Sequence, residues 1–172
     1  MENIRKILKN KILILDGAMG TMIQDYKLDE NAYRGKEFAN YDSSLKGNND
    51  LLSITQPNII EDIHYQFLEA GADIIETNTF NANSISQSDY DLEDSVFEMN
   101  FQSAQLAVNA VKRFNKNNKD TKFVCGSIGP TNRTASMSPK VEDLSFRNVT
   151  FDELYDTYYE QVDGLVKGGV DL

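Results

Sequence analysis

Short apolar runs alternate with longer amphipathic stretches along this chain. Ile12–Leu15 lies between Lys11 and Asp16-Gly17, Ala72–Thr77 follows Gly71, and Lys122–Ile128 follows the polar stretch 115–120. A fourth run begins at Val170 and reaches Leu172. Runs of this length read as strands buried on both faces, as in parallel sheets. Between them apolar residues recur at helical spacing. Pro57 sits at a first helical turn, Ile59, Ile60, Ile63, Phe67 and Leu68 follow it, and Gly71 is a stop. A second helix opens with a capping-box pattern, Ser95 to Glu98, and its apolar face carries Met99, Leu106, Ala110, Val111 and Phe114. A third opens the same way at Thr150 to Glu153. Its stripe is Phe151, Leu154, Tyr155, Tyr158, Val162, Leu165 and Val166, and Gly168-Gly169 ends it.

This order implies βαβ units around a parallel sheet. The expected fold class is α/β, a parallel (β/α)8 TIM-barrel type. Three βα units and the start of a fourth strand make about the first half of it. Residues 1–172 then read as the N-terminal part of a single barrel domain, with the remainder absent. Two connections are long, 21–56 and 129–149, and long connections without strong periodicity are usually functional. In a parallel barrel they form the catalytic face, and in an open doubly wound sheet they line the switch-point crevice.

Composition narrows the function classes. The 172 residues include 17 Lys plus Arg against 27 Asp plus Glu, a formal net charge of -10, which argues against nucleic-acid binding. No run approaches the ~20 apolar residues of a membrane span. One cysteine, Cys125, and one histidine, His64, exclude a disulfide within the chain and a thiolate zinc site built from it alone. The pattern is that of a reduced, cytoplasmic globular chain.

Candidate chemistry gathers where strands end. Asp16-Gly17-Ala18-Met19-Gly20-Thr21 has a carboxylate for an amine or hydroxyl and glycines that let a ligand approach the backbone. It also reads as a tight turn with Asp16 bonding local amides. Its glycine spacing is not that of a dinucleotide fingerprint. Glu76-Thr77-Asn78-Thr79-Phe80 reads either as a polar pocket floor or as a hydrogen-bonded layer closing the strand tops. In the third connection Gly129-Pro130 forces a sharp turn, and Arg133 either grips an anion or lies at the surface. Tyr26, Tyr33, Phe38 and Tyr41 either cover a pocket or pack their loop down. Cys125 reads as a buried small hydrophobe, and His64 as a residue on a packing edge.

Four blocks together resemble the N-terminal homocysteine-binding domain of cobalamin-dependent methionine synthase. They are Ile14–Gln24 (ILDGAMGTMIQ), Leu45–Leu52 (LKGNNDLL), Ala70–Asn81 (AGADIIETNTFN) and Gly129–Ser136 (GPTNRTAS) with Phe146–Phe151 (FRNVTF). DGAMGT and ETNTF are shared among homocysteine methyltransferases, whereas LKGNNDLL and GPTNRTAS point to the cobalamin-dependent branch. The resemblance implies an enzyme that transfers a methyl group from methylcobalamin, supplied by methyltetrahydrofolate, to zinc-activated homocysteine. The product is methionine. It implies zinc and cobalamin as cofactors of the intact enzyme, and further modules for methyltetrahydrofolate, cobalamin and S-adenosylmethionine.

Carried over, Asp16 resembles the aspartate near the substrate amino group and Gly17 the pocket wall. Glu76, Thr77, Asn78 and Thr79 match a polar block at the barrel mouth. The family's zinc cysteines fall beyond Leu172, so no metal ligand and no catalytic residue is expected here, and the 172 residues alone are expected to be inactive, without tight zinc, and poorly folded. Two alternatives stand beside this reading. One is a cobalamin-independent homocysteine S-methyltransferase using S-methylmethionine, S-adenosylmethionine or betaine. The other is a non-catalytic half-barrel binding module.

Overall fold

The computed structural model describes residues 4–172. Its helices are α1 (Ile4–Ile7), α2 (Met19–Asp25), α3 (Glu30–Arg34), α4 (Leu52–Thr55), α5 (Pro57–Glu69), α6 (Ser84–Gln87), α7 (Val96–Asn115) and α8 (Phe151–Gly168). The strands are β1 (Ile74–Glu76) and β2 (Phe123–Cys125), parallel, with Ile75 opposite Val124. Two further segments flank this pair. Leu15 bridges to Ile74 in parallel, and Asp16 N–H donates to the Ile74 carbonyl at 2.9 Å. On the far side Asp171 N–H donates to the Val124 carbonyl at 2.8 Å, and Gly126 N–H to the Leu172 carbonyl at 2.9 Å. The four segments therefore lie in sequence order with no reversal. A doubly wound sheet reverses at its switch point, and a barrel does not.

Local chemistry explains the long helices. Pro57 occupies the first position of α5, where its missing N–H has no helical partner in any case. Gly71 then adopts φ +107°, a value that side chains resist. At α8 the capping box is complete: Thr150 Oγ1 accepts from Glu153 N–H at 3.2 Å, and Thr150 N–H donates to the Glu153 carboxylate at 2.7 Å. Gly169 closes the helix in the left-handed conformation. The core has two parts. One joins Ile23, Leu45, Leu51, Leu52, Ile60, Ile63 and Met99 beneath the first connection. The other joins Leu68, Ile75, Ala107, Ala110, Phe114 and Val124 between the sheet and α5 and α7.

Several expectations change. The first predicted strand is reduced to the single bridging residue Leu15: the Ile14 N–H donates to the Asp73 carboxylate at 3.1 Å rather than to a backbone carbonyl, and Ile12 and Ile14 are exposed. The capping box at Ser95 does not form. Ser95 is helical in φ and ψ, ends a 3-10 turn over Glu93–Ser95, and makes no side-chain cap bond. The largest change concerns α8: of its expected apolar stripe only Leu165 is buried, Leu154 and Tyr158 are half-buried, and the rest faces outward. Phe151, Tyr155, Val162 and Val166 are exposed, while Thr157, Gln161, Gly164, Leu165 and Gly168 are buried. Gly164 and Gly168 explain it. A Cβ on Gly164 would stand 2.8 Å from Asn100 Cβ, and one on Gly168 2.5 Å from Ala104 Cβ. The two helices meet through small residues too closely for a stripe of large ones.

The connection 21–56 is an ordered structure rather than a plain loop. Glu30 accepts from Ser44 Oγ and from the N–H groups of Leu45 and Lys46, all within 2.9 Å, and pairs with Arg34 at 2.8 Å. The Leu45 N–H and its companions hold the Glu30 carboxyl at a pKa of about 2. Arg34 in turn donates to the Tyr41 and Ser43 carbonyls. This knot, with Tyr33 buried and its hydroxyl donating to Asn49 at 2.8 Å, carries 48–50 over the strand ends. The aromatics here pack the loop down; only Tyr26 stays largely exposed.

Candidate functional site

At the C-terminal ends of the strands lies a cleft of about 330 Å³, lined by Asp16–Gly20, Asn49, Asp50, Thr77–Asn81, Glu76 and Ser127. All six residues expected at a site, Asp16, Gly17, Glu76, Thr77, Asn78 and Thr79, meet there. They do different work. Asp16 accepts the Glu76 N–H on both carboxylate oxygens, each at 3.1 Å. Burial, with the charge of Glu76 alongside, pushes its pKa up to about 7. Gly17 faces open space, since a Cβ there would meet nothing within 4 Å.

Thr77 and Thr79 form a closed network. Thr79 Oγ1 donates to the Ser127 carbonyl at 2.7 Å and lies 2.7 Å from Thr77 Oγ1, which accepts the Ser127 N–H at 2.9 Å. Asn78 Nδ2 donates to the Asn49 carbonyl at 2.7 Å, and Asn78 N–H donates to Ser103 Oγ at 2.8 Å. Thr77, Asn78 and Thr79 are thus a hydrogen-bonded layer that also forms the floor of the cleft; the two expected roles coincide. Glycine is required at 129, where a Cβ would collide with the Phe80 carbonyl that accepts the Gly129 N–H.

Other candidates fall outside. Arg133 is exposed, with Nη2 3.5 Å from Ser88 Oγ. Cys125 is half-buried at the end of β2, and burial followed by the nearby Glu76 and Asp16 charges raises its thiol pKa. His64 is not on an edge: it is fully buried in α5, and neither ring nitrogen has a hydrogen-bond partner among the described residues. Burial lowers its pKa to about 4. Asp50 was not singled out by its spacing, yet it is buried in the cleft wall. Its signal in sequence is a charge set directly before Leu51-Leu52, which pins it in the core. Among the described residues no three His, Cys, Asp or Glu side chains group so as to hold a metal ion. No described helix is long and apolar enough to cross a membrane.

The homocysteine S-methyltransferase family model matches residues 13–172. The chain belongs to the homocysteine S-methyltransferase family. Solved structures of this type share its fold. The homocysteine methyltransferase MmuM from Escherichia coli, in a metallated form, is 21% identical with a TM-score of 0.72, over 98% of this chain and 55% of that one. Its oxidized form is 20% identical with a TM-score of 0.71, over 98% and 54%. The chain therefore spans about half the length of these homocysteine methyltransferases. Their likeness supports the TIM-barrel-type reading of a small parallel sheet whose segments run in sequence order.

Proposed function

We propose that the cleft binds homocysteine and that the intact protein is a cobalamin-dependent methionine synthase. The observation that carries homocysteine binding is the convergence of Asp16, Gly17 and Glu76 above the Thr77–Thr79 floor, in a member of this family. Asp16 takes the substrate ammonium, for which a desolvated carboxylate without a cationic neighbour in the cleft is suited. The methyl group passes to the substrate sulfur, the thiol proton leaves, and the thioether of methionine results. Zinc would supply a thiolate at neutral pH in this family's chemistry. The described residues do not make such a site by themselves, so their part is recognition of the amino acid.

The choice of methylcobalamin, supplied by methyltetrahydrofolate, rests on the LKGNNDLL and GPTNRTAS blocks. So do the accompanying folate, cobalamin and S-adenosylmethionine modules. Residues 1–172 are read as part of one barrel domain. A cytoplasmic location suits a substrate thiol that must stay reduced. The test uses the full-length protein. Asp16→Ala is expected to weaken homocysteine binding more than tenfold while zinc content is unchanged; unaltered homocysteine affinity removes Asp16 from the site. Methyl transfer from methylcobalamin but not from S-methylmethionine supports the donor assignment, and the reverse selects the cobalamin-independent branch.

A further inference from the structure

Two buried amides stand behind the cleft wall with only their donor ends in use. Gln161, on α8, is fully buried. Its Nε2 donates to the Thr79 carbonyl at 2.8 Å, and its Oε1 is buried without a hydrogen-bond partner among the described residues. Asn100, on α7, is fully buried too. Its Nδ2 donates to the Ala82 carbonyl at 2.7 Å and to the Val96 carbonyl at 2.8 Å, and its Oδ1 is likewise buried and unpartnered. Thr79 and Ala82 are the two ends of one turn, in which Ala82 N–H donates to the Thr79 carbonyl at 3.1 Å. The middle of that turn, Phe80 and Asn81, lies in the cleft wall. Both long connections hold it from the other side: Asn81 N–H donates to Asp50 Oδ1 at 2.9 Å, and the Phe80 carbonyl accepts the Gly129 N–H at 3.1 Å.

Stability alone does not call for an amide at 161. The Thr79 carbonyl already has a partner in the Ala82 N–H, so an apolar side chain in place of Gln161 would leave no carbonyl orphaned. A buried amide oxygen without a donor also carries a desolvation cost that an apolar side chain of similar volume does not. What the amide adds is direction, because its bond ties the turn to α8. The glycine seam in turn places α8. Thr157, Gln161, Gly164 and Gly168 follow one another at helical spacing on one buried face. A Cβ on Gly164 would stand 2.8 Å from Asn100 Cβ, so the helices approach most closely beside the two amides. One helical turn before Gln161, Thr157 Oγ1 lies 2.9 Å from Ser84 Oγ, just past the same turn. The polar part of the buried face of α8 is directed at segment 79–84.

We propose that Gln161 is a positioning residue for the cleft. It sets the Thr79–Ala82 turn, and with it Phe80 and Asn81, against the bound amino acid, and the α7–α8 glycine seam acts on binding through it. The inference rests on reading the cleft as a homocysteine site.

The test measures equilibrium binding of homocysteine to the full-length protein, at a temperature where every variant is folded, beside the melting temperature. Gln161→Met keeps the length and bulk of the side chain and removes the donor. It is expected to weaken homocysteine binding at least fivefold without lowering the melting temperature. Gly164→Ala, which pushes the helices apart, is expected to weaken binding in the wild-type background and to add less than twofold to Gln161→Met, because both act on one contact. Unchanged affinity in Gln161→Met overturns the inference. So does a loss of affinity that comes with a lowered melting temperature, which would make Gln161 a plain support of the fold. No effect of Gly164→Ala on affinity, or losses that multiply in the double variant, overturns the link through the seam. Gln161→Leu is the second variant should the first fail to fold; if neither folds, Gln161 holds the structure and the inference falls. A wild type that does not bind homocysteine removes the reading of the cleft itself, whereas wild-type binding with unaffected variants removes only this inference.

Discussion

Asp16 and His64 respond to acid in opposite directions. Asp16 has a folded pKa of about 7, above its ordinary value of 3.8, so the folded state holds the extra proton between them. The stability this contributes is complete below pH 3.8 and is lost as pH rises towards 7. Asp16→Asn is therefore expected to melt above the wild type at about pH 8, with the gain vanishing near about pH 3.5, while homocysteine binding is lost. Denaturation scans at the two pH values check this. His64 is the reverse case. Its folded pKa of about 4 lies below its ordinary 6.5, so the unfolded state binds the proton first, and stability falls as pH drops from 6.5 towards 4. The loss is about 2 kcal/mol at about pH 5. His64→Leu removes both the titration and two unpartnered ring nitrogens. It is expected to match or exceed the wild type at neutral pH, and its urea midpoint is expected to rise as pH falls towards about pH 5, because only the Asp16 slope remains. In the wild type the two slopes offset one another in this window, so the single variants separate what the parent curve hides.

The seam between α7 and α8 sets helix propensity against packing. Exchanging a mid-helix glycine for alanine favours a helix by about 1 kcal/mol. At Gly164, however, the new Cβ would lie 2.8 Å from Asn100 Cβ and 2.9 Å from the Phe97 carbonyl, neither of which is the far end of a flexible side chain. Overpacking of this kind costs about 1–3 kcal/mol, so Gly164→Ala is expected to lower the melting temperature. Gly17→Ala, with nothing within 4 Å, is the control and should leave it unchanged. A stabilised Gly164→Ala would show that the seam can open. The same seam marks how far the sequence could be read. Pro57, Gly71, Thr150 and Gly169 act through their own backbone, and the bounds of α5 and α8 were legible from them. The buried face of α8 was not, because two stripes compete on it, one large and apolar, the other small, and only the partner helix decides. Likewise the strand-end blocks disclosed the cleft, since strand ends gather by topology. The burial of His64 depends on packing between segments distant in sequence and carried no local pattern, and Asp50 had no signal beyond its place directly before Leu51-Leu52.

At the scale of the whole molecule the described surface holds a long apolar face. Phe151, Tyr155, Tyr159, Val162 and Val166 are exposed along α8, at 76%, 58%, 62%, 40% and 63%, and Tyr155 stacks on Tyr159 with ring centroids 6.0 Å apart. Ile12, Ile14 and Leu15 add a second patch on a segment hydrogen-bonded along one side only. Contiguous apolar surface and an unpaired strand edge both drive association. The net charge of -10 opposes it through mutual repulsion, so salt becomes the deciding variable. The 172-residue chain by itself is expected to bind a hydrophobic dye, to melt without a sharp cooperative transition, and to associate more strongly as salt is raised. Tyr155→Glu with Val166→Lys places charges on the α8 face without altering its buried seam. Light scattering across a salt series should show this double variant associating less than the parent at every salt concentration. A parent chain that stays monomeric, ignores the dye and melts sharply would mean that these faces are tolerated in water, and would remove the expectation that the chain needs further structure to cover them.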